Sequence, residues 1–139
     1  MTAYEIARRE IGVKEVRDGE NPRILEYHDC TDLNASEDEV PWCSAFMNWC
    51  QWHSGAEITR SAAARSWLKW GNPLDKPVEG CVTILSRPPN PTSGHVAFFV
   101  RQQGDMVLLL GGNQRDQVKE SWFHASSVLG YREACNESV

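Results

Sequence analysis

No run of about twenty apolar residues, the length a bilayer-spanning helix needs, occurs in this 139-residue chain. Its longest apolar stretches, HVAFFV and MVLLLGG, are strand-sized. The opening MTAYEIARREIG lacks a basic stretch followed by an apolar core, so no secretory signal is expected and synthesis into a cytoplasm is. Positive charge is also scarce: 14 Lys and Arg stand against 19 Asp and Glu, a net charge of −5. That balance excludes a sequence-independent grip on nucleic acid and electrostatic attachment to an anionic membrane or wall. There is no Cys-x-x-Cys pair. The five cysteines, Cys30, Cys43, Cys50, Cys81 and Cys135, are odd in number and accompany no signal, so reduced thiols are expected. Cys43 and Cys50, with His53, are seven residues apart on a helical pattern, roughly 10 Å along the axis, which suits two ligands of one ion poorly. No metal and no cofactor are therefore expected. Repeats, low-complexity tracts and linkers are absent, and a single domain over residues 1–139 follows.

What is present is an aromatic-rich front half and a strand-rich back half. Five of the six tryptophans, Trp42, Trp49, Trp52, Trp67 and Trp70, fall in under a third of the chain and place much of the core there. Residues 2–12 read as a short helix ended by Gly12, and residues 22–29 as a second. RDGENPR between them reads as a turn and DCTDLNASEDE as a solvated acidic loop. Pro41 suits the first turn of a helix running to His53 and stopping at Gly55. Its Cys43, Phe46, Met47 and Cys50 share one face. Ser61 is a plausible N-cap for a further helix through AAARSWLKW. GCVTILSR, GHVAFFVRQ, DMVLLLGGN, QVKESWF and VLGYRE then read as successive strands joined by hairpins. The terminal CNESV is expected to fray. Helices first and strands afterwards is the α+β pattern, a helical layer packed on an antiparallel sheet.

The chemistry-bearing stretch is EVPWCSAFMNWC. Cys43 falls at the beginning of a helix, where unpaired N–H groups and the macrodipole stabilise a thiolate and can hold an oxyanion. A bland alternative is a buried core cysteine, the role expected of Cys50. A nucleophilic cysteine needs a base and a group that orients the base. Among His28, His53, His95 and His124, His95 stands apart: it opens an apolar strand in PTSGHVAFFV, where a strand end meets a helix N-terminus. Asn113, after LLLGG, would end the neighbouring strand, and its side-chain oxygen can fix an imidazole. A turn residue after Gly-Gly is the alternative for Asn113. Trp42, beside Cys43, is a candidate cleft wall or a core residue. Gln114 either supports the site or faces water. Asp38 or Glu39, just before the helix, can contact a cationic substrate amine; SAAARSWLKW reads first as a packing helix and not a binding surface, although its Arg65 can reach a carboxylate.

Taken in order, PWCSAFMNWC, SAAARSWLKWG, GHVAFFV, LGGNQ and LGYR resemble the CHAP and NlpC-type cysteine peptidases and amidases, and within them a small phage and prophage endolysin subgroup. The motifs run from residue 41 to 132, about two thirds of the chain. The resemblance implies a papain-like fold, with Cys43 as nucleophile, His95 as general base and acid, and Asn113 as the orienting residue. It also implies hydrolysis of an amide bond in the stem peptide of peptidoglycan. A single catalytic domain without a wall-binding module, acting as a monomer on periplasmic peptidoglycan, is expected. With no signal and no membrane insertion, release through a partner's membrane hole, as with a holin, is the expected route. Two other readings stay open: a secreted wall-degrading effector toxin with an immunity protein, and a non-catalytic binding module on the same fold.

Overall fold

The computed structural model describes residues 1–16, 20–32 and 42–135. Asp38, Glu39 and Pro41, most of the acidic loop, residues 17–19 of the expected turn and the last four residues lie outside them. Among the described residues three α-helices precede the sheet: α1 (Ala3–Arg9), α2 (Pro22–His28) and α3 (Cys43–His53). Each start has a local cause. Thr2 and Glu5 form a reciprocal capping box on α1. Asn21 accepts from the Arg23 N–H ahead of α2, whose first residue is Pro22. Trp42 is the N-cap of α3 and gives it no side-chain hydrogen bond. The first-turn N–H groups, beginning with that of Cys43, have no acceptor within the helix.

Six strands follow: β1 (Asn72–Leu74), β2 (Val82–Arg87), β3 (Asn90–Gln103), β4 (Met106–Gln114), β5 (Gln117–His124) and β6 (Val128–Glu133). They form one antiparallel sheet in the order β1-β6-β2-β3-β4-β5. The fold is α+β, as the sequence pattern requires. Arg115 and Asp116 both have positive φ, 53° and 63°, and turn β4 into β5 through a two-residue hairpin. Residues 12–15 lie along β5 through Gly12 N–H to Val118 O, Val118 N–H to Val13 O and Glu15 N–H to Asp116 O.

Three local expectations change, and one strand, β1, is an addition to them. The AAARSWLKW segment is a 3-10 helix, Ala64–Lys69, not an α-helix. Ser61 does not cap it: its Oγ accepts from the Ala63 N–H in a local turn, and Ala63 is the N-cap. The three-residue β1 carries Pro73, and its short length left no alternation to read. Finally, β3 begins at Asn90, so His95 lies inside the strand, paired with Leu85, and does not open it.

Strand alternation divides the core in two. Val82, Ile84, Val96, Phe98, Leu110 and Val118 face the helices, where they meet Ile24, Tyr27, Trp42, Phe46, Met47 and Trp67. Cys81, Leu85, Ala97, Phe99, Val107 and Leu109 form a smaller cluster on the other face, closed by Phe123, Val128 and Tyr131. Tyr27 centres the helical layer, with its ring 5.0 Å from Phe46, 5.1 Å from Trp49 and 5.8 Å from Trp42. Complete burial of a side chain such as Phe46 stabilises by about 1.5–3 kcal/mol.

Asn48 fastens the chain leaving α3. Its Oδ1 accepts from the N–H groups of Thr59 (2.9 Å) and Arg60 (3.0 Å), while its Nδ2 donates to Ser44 O and Ser61 O. Arg60 is held there with φ 59°. Ser44 Oγ donates to Ser61 O at 2.7 Å and accepts from Trp67 Nε1 at 2.9 Å. These bonds press the 3-10 helix against the residue next to Cys43. Among the described residues no helix is long and apolar enough to cross a membrane.

Candidate active site

Helix α3 packs its N-terminus on β3 and β4. The ladder between these strands ends at Phe98↔Leu110; beyond that point β3 continues paired to β2 and β4 to β5. Gly112 marks where the helix meets β4. A Cβ there would lie 2.7 Å from both Phe46 Cβ and Trp42 Cζ3, so only glycine permits the approach. The Gly-Gly pair is therefore an in-strand contact, not a loop.

Cys43 is buried, and burial pushes its thiol up. The charge and hydrogen bond of His95, the Val96 N–H, and the charge of Arg87 outweigh that effect and leave the thiol below its ordinary value of 9.0. Cys50, two turns along the same helix and fully buried, behaves oppositely. Burial and the charges of Glu10 and Cys30 hold its thiol well above that value. The two cysteines share a face and a helix, so the difference comes from their partners. Cys43 has an imidazole and the Val96 N–H beside it, whereas Cys50 has carboxylate and hydrocarbon.

His95 is buried at 3% exposure, and its ring stacks on Phe123 with centroids 5.3 Å apart. Its Nε2 lies 2.9 Å from Gln114 Oε1. The Gln114 amide has a defined orientation, because its Nε2 donates to Lys119 O at 2.7 Å and to Leu109 O at 3.1 Å. Oε1 is therefore the atom turned to the imidazole, and an oxygen there can only accept. It follows that His95 Nε2 carries its proton. In the neutral ring Nδ1 then keeps a lone pair. That nitrogen is buried, and among the described residues no hydrogen bond to it meets ordinary geometric limits. The His95–Cys43 interaction that lowers the thiol thus leaves Nδ1 as the position for a proton taken from sulfur.

Gln114, and not Asn113, is the residue that meets the imidazole. The cause is a β-bulge. Gly111 pairs with Lys119 and Gln114 with Gln117, so Gly112 and Asn113 together face Val118 alone. Asn113 takes the left-handed backbone there, φ 57°, which asparagine tolerates better than most residues. In an unbroken strand Asn113 would share the face of Leu109 and Gly111. The extra residue transfers that face to Gln114, whose Oε1 lies 2.6 Å from where a Gly111 Cβ would stand.

Trp42 does not line an open cleft. It is fully buried, stacks near Tyr27 and donates from Nε1 to Glu15 Oε1 at 2.7 Å. Of the other histidines, His53 packs against Trp49 and Trp52 at the far end of α3, and His124 is exposed at the end of β5. Among the described residues no three His, Cys, Asp or Glu side chains gather as a metal-ligand set. Compared with known protein families and with curated proteins, the chain matches none. The site's meaning therefore rests on its own geometry. Phe123 and Gln114 were the neighbours of His95 hardest to foresee: one comes from β5, the other from a bulge.

Proposed function

We propose that this protein is a cysteine-dependent amide hydrolase with a papain-like arrangement, and that its substrate is the stem peptide of peptidoglycan. One observation carries the chemistry: a buried thiol at a helix N-terminus is held below its ordinary value by a histidine whose other nitrogen is fixed by Gln114. The Cys43 thiolate attacks the scissile carbonyl, with His95 as the imidazolium. The oxyanion gathers on first-turn N–H groups of α3, beginning with that of Cys43. His95 Nδ1–H then protonates the leaving amine, and the same nitrogen removes a proton from the water that cleaves the thioester. Gln114 is the positioning residue; Asn113 has no part in the relay.

The ordered motif set supports the substrate. PWCSAFMNWC, SAAARSWLKWG, GHVAFFV, LGGNQ and LGYR resemble the small phage and prophage wall hydrolases in sequence order. On that reading the protein reaches periplasmic peptidoglycan after release through a membrane hole made by a partner. The test is mass spectrometry of purified Gram-negative peptidoglycan after digestion by wild type and by Cys43→Ala. New fragments from wild type alone are expected, and their masses assign the cut to the sugar–peptide junction or to the peptide. Fragments of equal yield from Cys43→Ala would remove the nucleophile assignment. No fragments from either protein, with Cys43 still readily alkylated, would remove the substrate and leave the thiol chemistry.

A further inference from the structure

Arg65 is tied to both sides of the candidate site. It lies in the 3-10 helix that Ser44, next to Cys43, holds through Ser61 O and Trp67 Nε1. Its own Nε donates to Ser93 O at 2.7 Å, two residues before His95. Its stem runs past Gly94, where a Cβ would come within 3.3 Å of Arg65 Cγ and 2.8 Å of Leu85 O, so the close approach needs glycine. The guanidinium is half-buried and anchored by one nitrogen. Its two terminal nitrogens have no hydrogen-bond or ion-pair partner among the described residues.

A merely structural tie from the 3-10 helix to β3 needs one neutral donor, not a guanidinium. A surface groove of about 640 Å³ runs from Arg65 along the 3-10 helix past Ser66 to Lys69; among the described residues Glu57 is the one acid that lines it, and neither Cys43 nor His95 does. A second cation, Arg87, stands on the β2–β3 hairpin, exposed and without an ion pair among the described residues. Its charge is one of those acting on Cys43. Arg65, bonded to Ser93 O, and Arg87, paired with Asn90, thus place two cations beside the first half of β3 on a protein of net charge −5.

We propose that Arg65 is a specificity-determining residue that binds a free carboxylate of the substrate close to the scissile amide, through the terminal nitrogens that Ser93 leaves unused. The substrate class is accordingly a peptide with an unamidated carboxylate beside the cleaved bond. This rests on the hydrolase reading above and narrows it. An anchored guanidinium loses little freedom on binding and offers a fork that matches a carboxylate. A site built to pair a charge discriminates strongly against a neutral analogue.

Two measurements test it, one of which needs no natural substrate. The first compares alkylation of Cys43 by iodoacetate, which carries a carboxylate, with alkylation by iodoacetamide, its neutral counterpart, by peptide mapping. Arg65→Met should lower the iodoacetate-to-iodoacetamide rate ratio about five- to tenfold. Arg65→Lys, which keeps a cation in the same stem, should retain most of the ratio and shows that the effect is charge and not misfolding. The second compares digestion of native sacculi with sacculi amidated by carbodiimide and ammonia. Wild type should prefer the native form at least about tenfold, and Arg65→Met should lose the preference. An unchanged ratio and preference in Arg65→Met overturns the carboxylate assignment and leaves hydrolysis standing. A fall seen with Arg87→Met but not with Arg65→Met also overturns it, because the carboxylate is then read from β2. If wild type cuts neither wall, the peptidoglycan substrate falls and the alkylation ratio still decides for or against Arg65. If neither reagent labels Cys43, both proposals fall.

Discussion

Replacing Gln114 by Leu is the sharpest perturbation of this site. The side chain makes three buried or half-buried bonds, to His95 Nε2, Leu109 O and Lys119 O. Leucine is close in volume but answers none of them. A buried group left without its partner costs about 1–3 kcal/mol, so the loss should be about 3 kcal/mol or more. For a domain of this size that lowers Tm by roughly 10 °C. The second effect is chemical. Oε1 accepts from Nε2–H, and this bond favours the imidazolium that pairs with the thiolate. Without it the Cys43 thiol moves back up. The lost bond is to a charged donor, about 1.5 kcal/mol or more, so alkylation of Cys43 at neutral pH should slow about tenfold. The assay is the pH profile of iodoacetamide labelling at Cys43, followed by mass spectrometry, beside thermal unfolding of the same samples. The control is Asn113→Ala, which should leave the labelling profile in place. If Gln114→Leu retains the wild-type profile, or if Asn113→Ala shifts it instead, the assignment of Gln114 as the positioning residue is wrong.

In wild type, labelling of Cys43 should titrate below the ordinary thiol value of 9.0, while Cys50 and Cys81, both raised chiefly by burial, should resist labelling until well above it; a common midpoint for all three would contradict the partner argument. Gly112→Ala places a methyl group 2.7 Å from Phe46 Cβ and from Trp42 Cζ3, so urea unfolding should show a loss of about 1–3 kcal/mol and Cys43 labelling should fall as the helix lifts from β4. Asn48→Leu strips the N–H groups of Thr59 and Arg60 of their acceptor and should destabilise by about 3 kcal/mol, read by the same titration. Tyr27 is raised above 10.0 by burial and by its 2.6 Å hydrogen bond to Glu10. Its hydroxyl stays protonated in the folded chain when the unfolded chain would ionise. Its contribution is therefore full below about pH 10 and is lost as the pH climbs above that value. Stability measured from pH 8 to 11 should decline on the alkaline side, and Tyr27→Phe should flatten the decline.

Much of this molecule is determined locally, and the sequence alone discloses it. The apolar spacing of α3, Pro22 after an Asn cap, and the alternating runs of β2 to β6 each report a period or a capping preference that neighbours along the chain dictate. The same holds for Cys43 at a helix start. His95 differs: the strand opening expected of it is absent, because β3 already runs from Asn90. The third member of the site is different. Regular alternation puts Asn113 on the face of Leu109, and only the bulge opposite Val118 hands that face to Gln114. Whether a strand absorbs an extra residue depends on its partner's register, which no single strand encodes. Tertiary packing places Trp42 and Phe123 for a like reason. An aromatic beside a nucleophile in sequence can turn into the core, and one from β5 can stack on the histidine, because the sheet sets distances that the chain order does not. Likewise, two cysteines on one helical face differ only in what other elements bring to them: His95 and the Val96 N–H to Cys43, Glu10 to Cys50. Residue type and spacing settle which groups are able to react. Tertiary packing decides which of them meets a base, which keeps its proton, and which carboxylate or amide holds the partner in place.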